Sequence, residues 1–279
     1  MALIGNTYGK GRVRIMRVHR DGDHNEVREL SLSTMVQGDF GRTYTHADNS
    51  KALCTDTMKN LVNIVAHESP ALGKEAFCAA VADRLLTKYA QVATAEVSAY
   101  ETKWCRLAVD GRPHPHSFVL DANGKPFARI TASRDAKSYE SGLSGFTFLK
   151  TTQSGWDQYY KDDYTTLRET RDRLCATSME ATWRWQRHPP DFERANAKLL
   201  DTMLAVFATT YSESVQDSLY RMASAGLKAV PEVSEIHLAC PNKHYIPIDL
   251  SPFGLLNNNA VFLPTDEPHG QIECRLGRE

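Results

Sequence analysis

Three short stretches of this chain gather side chains whose types and spacing could carry chemistry. In the first, Leu149-Lys150-Thr151-Thr152-Gln153-Ser154-Gly155-Trp156 ends an apolar run in a polar loop with a large aromatic. Tyr159, Tyr160, Tyr164, Arg168, Arg171 and Arg173 follow closely. The plainer reading is a core helix with Arg173 on its surface. The chemical reading is an aromatic platform beside a guanidinium, whose rigid donor fork can hold a planar anion by its edge. Pro241-Asn242-Lys243-His244-Tyr245 is the second stretch. Its proline is expected to stop ladder pairing, which collects polar and aromatic side chains at a strand end, where sites concentrate. Thr55-Asp56-Thr57-Met58-Lys59-Asn60 is the third. Taken alone it is a helix start, with Thr55 or Asp56 as cap and an acid favoured in the first turn. That reading does not account for so many polar groups just ahead of an apolar helix.

Other motifs lead away from cofactors. Tyr8-Gly9-Lys10-Gly11 has glycines around a lysine, but the spacing from Gly5 and the glycine after Lys10 both fail the phosphate-loop pattern, and no GxGxxG follows a strand. His114-Pro115-His116, with Cys105 nearby, has no second ligand pair at structural-zinc spacing, and a proline between histidines reads as an exposed turn. Neither a metal nor a nucleotide cofactor is expected.

The elements that must position these groups repeat. Val13–Val18 and Val27–Leu32 alternate around Asp21-Gly22-Asp23 as a hairpin. Leu61, Val62, Ile64 and Val65 mark a helix from about Thr55, and Pro70 opens another with Ala76, Phe77, Ala80, Val81 and Leu85 on one face. Val92–Tyr100 returns to alternation, and Ser117–Leu120 is expected to face a further strand across Asp121-Ala122-Asn123-Gly124. The second half gives the same order. Strands at Leu143–Leu149 and Met179–Trp185 precede helices around Ala195–Phe207 and Ser214–Leu227, and strands at Val233–Leu238, Tyr245–Leu250 and Val261–Leu263 follow. Ala95-Glu96-Val97-Ser98 matches Ser234-Glu235-Ile236-His237 at the same place in each half. An internal duplication with a boundary near Ser133-Arg134-Asp135 gives two domains, 1–134 and 135–279. Each is a ββααββ unit of class α+β, an antiparallel sheet with helices on one face. Sheet edges and the second face still need cover, so oligomerisation that closes a barrel is a physical expectation.

Bulk properties fit a folded chain with an ordinary core: 279 residues, 42% apolar, 24% charged, formal net charge −1. Near-neutrality argues against a nucleic-acid or anionic-membrane partner, but not against one small anion in a pocket. Six cysteines without a CxxC pair, no apolar leader, no run of spanning length and an ending Leu276-Gly277-Arg278-Glu279 unlike a peroxisomal signal lead to the expectation of a reduced, cytoplasmic protein.

Taken together, Tyr8-Gly9-Lys10, Asp48-Asn49-Ser50, Thr55-Asp56-Thr57 with Lys59-Asn60, Leu149-Lys150-Thr151-Thr152, Tyr164-Thr165-Thr166-Leu167 with Glu169-Thr170 and Asp172-Arg173, Ser214-Val215-Gln216, and Pro241-Asn242-Lys243-His244-Tyr245 resemble the urate oxidase (uricase) family. Each is short; in this order along nearly the whole chain they are specific. The resemblance implies the tunnelling fold, tandem in one chain and assembled as a homotetramer with sites between subunits. It implies a cofactor-free oxidation of urate by dioxygen, with water, to 5-hydroxyisourate and hydrogen peroxide. By similarity Arg173 and Gln216 grip the urate ring, Leu167 packs on it, the Val215 backbone bonds it, and Trp156 stands where the family usually stacks a phenylalanine. Lys10, Thr55 and His244 would relay protons, with Thr55 and Asp56 lent by a neighbouring subunit. Asn242 would hold dioxygen or water, and Gly270 would lie at the far wall. Another tunnelling-fold purine or pterin enzyme, or a non-catalytic purine binder, is the alternative.

Overall fold

The computed structural model describes residues 1–278; Glu279, the last residue of the expected second domain, lies outside the described residues. The chain packs into two compact units, Met1–Gly142 with Arg184–Glu193, and Leu143–Trp183 with the chain from Arg194 onward. Among the described residues no helix is long and apolar enough to cross a membrane.

The first unit contains strands β1 (Tyr8–Asp21) and β2 (His24–Gly38), helices α1 (Gly41–Thr45), α2 (Thr55–Glu68) and α3 (Lys74–Lys88), strands β3 (Val92–Val109), β4 (Arg112–Asp121) and β5 (Lys125–Ser133), and the start of β6 (Lys137–Lys150). The sheet runs β1-β2-β3-β5-β6, with β4 on β3. Antiparallel registers such as Leu32↔Ala99 and Val97↔Ile130 put one apolar row on one face. α2 packs on β1, and α3 on β3 and β5. Their buried Met58, Leu61, Val62, Val65, Phe77, Val81 and Leu85 close the core against Leu30, Leu32, Val36, Val97 and Ile130. The other sheet face carries Ser33, Glu96, Ser98 and Arg129.

Three expectations about this unit are corrected. Pro70 does not open a helix. It lies in the turn after α2, and α3 starts at Lys74 with Gly73 at the cap position, one of the residue types favoured there. Ser117–Leu120 does not pair across Asn123-Gly124. β3 is longer than β5, so its far half is free to pair with β4 through a two-residue turn at Asp110-Gly111, both at positive φ, as in the mirror-image hairpin turns. His114-Pro115-His116 therefore lies in strand β4 rather than in a loop, where the two imidazoles pack edge to face at 4.6 Å.

The second unit runs from the rest of β6 through β7 (Cys175–Trp185), α4 (Phe192–Thr209), α5 (Val215–Ala229) and β8 (Val233–Pro247) to β9 (Phe262–Gly277), in sheet order β6-β7-β8-β9. α5 packs on β8 and β9. Its buried Leu219, Met222 and Ala223 meet a sheet that buries Ile236 and Leu238, while Leu199 and Met203 of α4 are also enclosed. Pro241 does not end the strand: β8 continues to Pro247, and Pro241 pairs with Gln271. A ladder accepts proline near a bulge, and the register shifts between Asn242 and His244. Both units therefore show the ββααββ order, the first with β4 and α1 added.

Candidate active site

In the first unit, Lys10, Thr55 and Asp56 come from two places that one tyrosine ties together. The Tyr8 hydroxyl accepts the Leu53 N–H at 2.7 Å, and its ring packs on Phe40 at 5.0 Å. This fixes β1 two residues before Lys10 against the chain two residues before Thr55. Glycine is required at position 9, because a Cβ there would collide with the Thr34 carbonyl. The β1–β2 register shifts after Lys10, and Arg12 takes positive φ; such a bulge re-aims the side chains beside it. Thr55 is the first residue of α2, where N–H groups lack partners within the helix. Asp56, exposed, accepts from Lys59 at 2.5 Å and from Asn60 at 3.0 Å. The Lys59 bond is the main cause holding the Asp56 carboxyl below its usual pKa, and the charge of Lys10 adds to it within the same chain. The Tyr8–Leu53 bond and the reach of the Lys10 charge thus bring β1 at Lys10 to the start of α2 at Thr55 and Asp56.

The second unit holds the other named residues. The stretch from Trp156 to Arg173 is not the core helix of the plainer reading but a loop fastened by main-chain bonds. Trp156 and Thr170 exchange hydrogen bonds of 2.7 and 3.0 Å, the Arg173 N–H reaches the Ser154 carbonyl at 3.0 Å, and Gly155 and Ser212 join at 2.9 Å. These bonds place Trp156, Arg173 and the start of α5 beside one another. Gly155 admits no side chain, since a Cβ would collide with the Tyr211 hydroxyl and lie 3.1 Å from the Thr170 carbonyl. Tyr211 itself donates to the Arg171 carbonyl at 2.8 Å.

Arg173 is half-buried, its Nε is enclosed without a hydrogen-bond partner, and burial pulls its guanidinium below the usual pKa. A cation so placed is short of an acceptor. Ser214 caps α5 by accepting the Asp217 N–H at 3.0 Å, which leaves the first N–H groups, of Val215 and Gln216, as donors. Val215 is buried and Gln216 exposed. Asn242 sits opposite Gly270 in the β8–β9 pair, and opposed residues share a face, so the glycine leaves room beside the amide. His244 follows the bulge, half-buried, paired with Thr265. Asn242 and Val215 also line an apolar cavity of about 20 Å³ with Cys175, Cys240 and Phe207, space on the scale of a single water. Burial pushes the Cys240 thiol up to about 12. Leu167 stands 61% exposed at the loop's outer end. Among the described residues, no three His, Cys, Asp or Glu side chains gather as metal ligands.

A family model described as uricase matches residues 6–131 and 139–273. The chain belongs to the uricase family. It is 36% identical to the uricase of Aspergillus flavus, over 99% of this chain and 97% of that one. It is 39% identical to the uricase of Arabidopsis thaliana, over 99% and 96% of the two chains. The crystal structure of the Arthrobacter globiformis uricase superposes with a TM-score of 0.94 at 33% identity, covering 100% of this chain and 96% of that one. The α+β tunnelling fold expected from the sequence is therefore the fold of this uricase-family chain. The residues that the motifs do not single out are supports: Gly155, Tyr211 and Ser212, which brace the Trp156–Arg173 loop. The one signal for them is a glycine immediately before the loop's aromatic.

Proposed function

We propose that this chain oxidises urate with dioxygen and without a cofactor, at sites each built from two subunits of a homotetramer. The reading rests chiefly on Arg173: a half-buried guanidinium with an enclosed, unpartnered nitrogen, held beside Trp156 and the N-terminus of α5. Urate is a planar, acidic purine. An Arg fork and the Gln216 amide suit its polar edges, the Val215 N–H adds a donor, and Trp156 and Leu167 suit its faces. The two chain halves are read as tandem copies, 1–134 and 135–279. Their open sheets, with polar second faces, suit closure into a barrel with another chain's sheets.

Lys10, Thr55 and Asp56 stand where β1 meets the start of α2 in the first unit, and the purine-gripping residues lie in the second. We assign this group of one subunit to the substrate of another, so that Lys10 travels with Thr55 rather than with Arg173. Deprotonated urate is electron-rich enough to give electrons to dioxygen directly. In this mechanism the Lys10–Thr55 pair takes the ring proton. Dioxygen, held at Asn242, adds to the ring as a peroxide. Water, activated by the same relay with His244, then displaces it. One urate, one dioxygen and one water give one 5-hydroxyisourate and one hydrogen peroxide. Orientation and a preorganised cationic setting are the protein's contribution.

The test is a spectroscopic assay of urate loss with measured peroxide release, on protein treated with a metal chelator. Stoichiometric release is expected. Urate loss that stops on chelation, or that yields no peroxide, overturns the reading.

A further inference from the structure

Tyr159 touches both residues assigned to the faces of the purine, although the family resemblance gives it no role of its own. Its ring stacks on Trp156 with centroids 5.4 Å apart and planes 10° from parallel. Its hydroxyl donates to the Leu167 carbonyl at 2.5 Å. Leu167 lies in an exposed part of the loop, where a turn at Asp162–Thr165 supplies the neighbouring main-chain bond. The far end of the assembly is anchored as well. The Lys161 ammonium lies 5.4 Å from the Tyr159 ring centre and pairs with Glu169 at 2.9 Å, and Glu169 accepts the Gln158 N–H at 3.0 Å.

We propose that Tyr159 is a positioning residue that fixes the two walls of the purine platform against each other, its ring holding the Trp156 indole and its hydroxyl the Leu167 main chain. The proposal rests on the reading of Trp156 and Leu167 as the urate-packing residues. It also commits to a geometry. Tyr159 occupies one face of the indole, so urate stacks on the opposite face, and Tyr159 never touches it. A group that stiffens a platform used equally by bound urate and by the transition state changes affinity and leaves the chemical step alone. Stacking and one neutral hydrogen bond each contribute modestly, so each loss costs on the order of threefold to tenfold in binding.

The experiment is steady-state kinetics on the full-length assembled enzyme as wild type, Tyr159→Phe, Tyr159→Ala, Trp156→Ala and the Trp156→Ala/Tyr159→Ala double variant, each checked for thermal midpoint and assembly size. Expected are a KM for urate raised roughly fivefold in Tyr159→Phe and more than tenfold in Tyr159→Ala, with kcat within about twofold of wild type in both. The double variant should fall below the product of the single effects by the part of the Tyr159→Ala loss that Tyr159→Phe does not show, because only that part acts through the indole, while the hydroxyl acts on Leu167 in either background. Multiplicative effects, an unchanged KM in Tyr159→Ala, or kcat falling with KM unmoved would each overturn the role of Tyr159. An unchanged KM in Trp156→Ala, or a wild type that leaves urate intact, would overturn the underlying site reading instead, and this proposal with it. Tyr159→Phe keeps the ring and guards against a folding failure in the alanine variant.

Discussion

Replacing Arg173 by methionine separates a binding cation from a structural one. The Arg173 Nε is enclosed without a partner, and burial already works against the charge. Leaving a buried donor unsatisfied costs about 1–3 kcal/mol; Arg173 is only half-buried, so the lower end applies, about 1 kcal/mol. Methionine keeps the aliphatic volume and removes that cost. The substrate-free variant should therefore melt at the wild-type temperature or roughly 2 °C above it. Binding should move the other way. Losing the cation that meets a buried anion costs about 2–5 kcal/mol, a rise of roughly thirtyfold or more in Kd. The assay is thermal unfolding with urate under anaerobic conditions, where urate is not consumed. At urate one hundred times the wild-type Kd, the ligand adds about 2.7 kcal/mol to wild type and no more than about 0.9 kcal/mol to the variant. A substrate-free variant melting several degrees lower would make Arg173 a structural residue, and an undiminished urate shift would remove it from the site.

Three further outcomes follow from the packing. Lys74 and Glu75 are both buried, with Lys74 3.5 Å from Glu75 and from Glu101. Burial alone would depress the ammonium, but the two carboxylates outweigh it and hold its pKa above the usual value. Lys74→Met should cost about 3–5 kcal/mol and roughly 10 °C in Tm, with part regained in Lys74→Met/Glu75→Gln; a shift under about 2 °C would contradict this. Glu29 accepts from Arg14 at 2.7 Å, which with the Trp104 bond holds its pKa below the ordinary glutamate value. A depressed folded-state pKa stabilises above the unfolded-state value and stops doing so as pH falls through the folded one. The difference in urea midpoint between wild type and Glu29→Gln should therefore be full at neutral pH and shrink below about pH 4; a pH-independent difference would refute it. Gly155→Ala must push Tyr211 off the Arg171 carbonyl and shift the loop that carries Trp156 and Arg173. Urate KM should rise at least fivefold with a stability loss of about 1–3 kcal/mol, and an unchanged KM would deny the loop its supporting role.

The fold could be read from sequence wherever local chemistry decided it. Ser214 caps α5 as its type allows and alternation marks the inner strands, whereas α2 has Cys54 at its cap position, with Thr55 and Asp56 as its first helical residues instead of its cap. The differences have one cause: what a proline or turn residue does depends on the strand it faces, which local sequence does not specify. Pro241 continues a strand because a bulge beside it relaxes the ladder, and β4 pairs backward through Asp110-Gly111, an Asp-Gly signal overshadowed by Asn123-Gly124. The motifs single out Arg173, Gln216, Asn242 and His244 as candidates. What braces them is not singled out, because Gly155, Tyr211 and Ser212 matter through main-chain bonds to residues distant in sequence. That Lys10 belongs with Asp56 was equally hidden, since the link runs through Tyr8 to Leu53.

The shared site is tested most directly by complementation. Lys10→Met and Arg173→Met chains are co-expressed, the mixed oligomers purified, and all are assayed at a urate concentration low enough that neither parent is active alone. If one subunit lends Lys10 with Thr55 and another supplies Arg173 with Gln216, each mixed pair of chains carries one intact site of two. Activity should then return to on the order of a quarter of wild type, because half of randomly formed pairs are mixed. Mixed oligomers as inactive as either parent would contradict a site built from two chains.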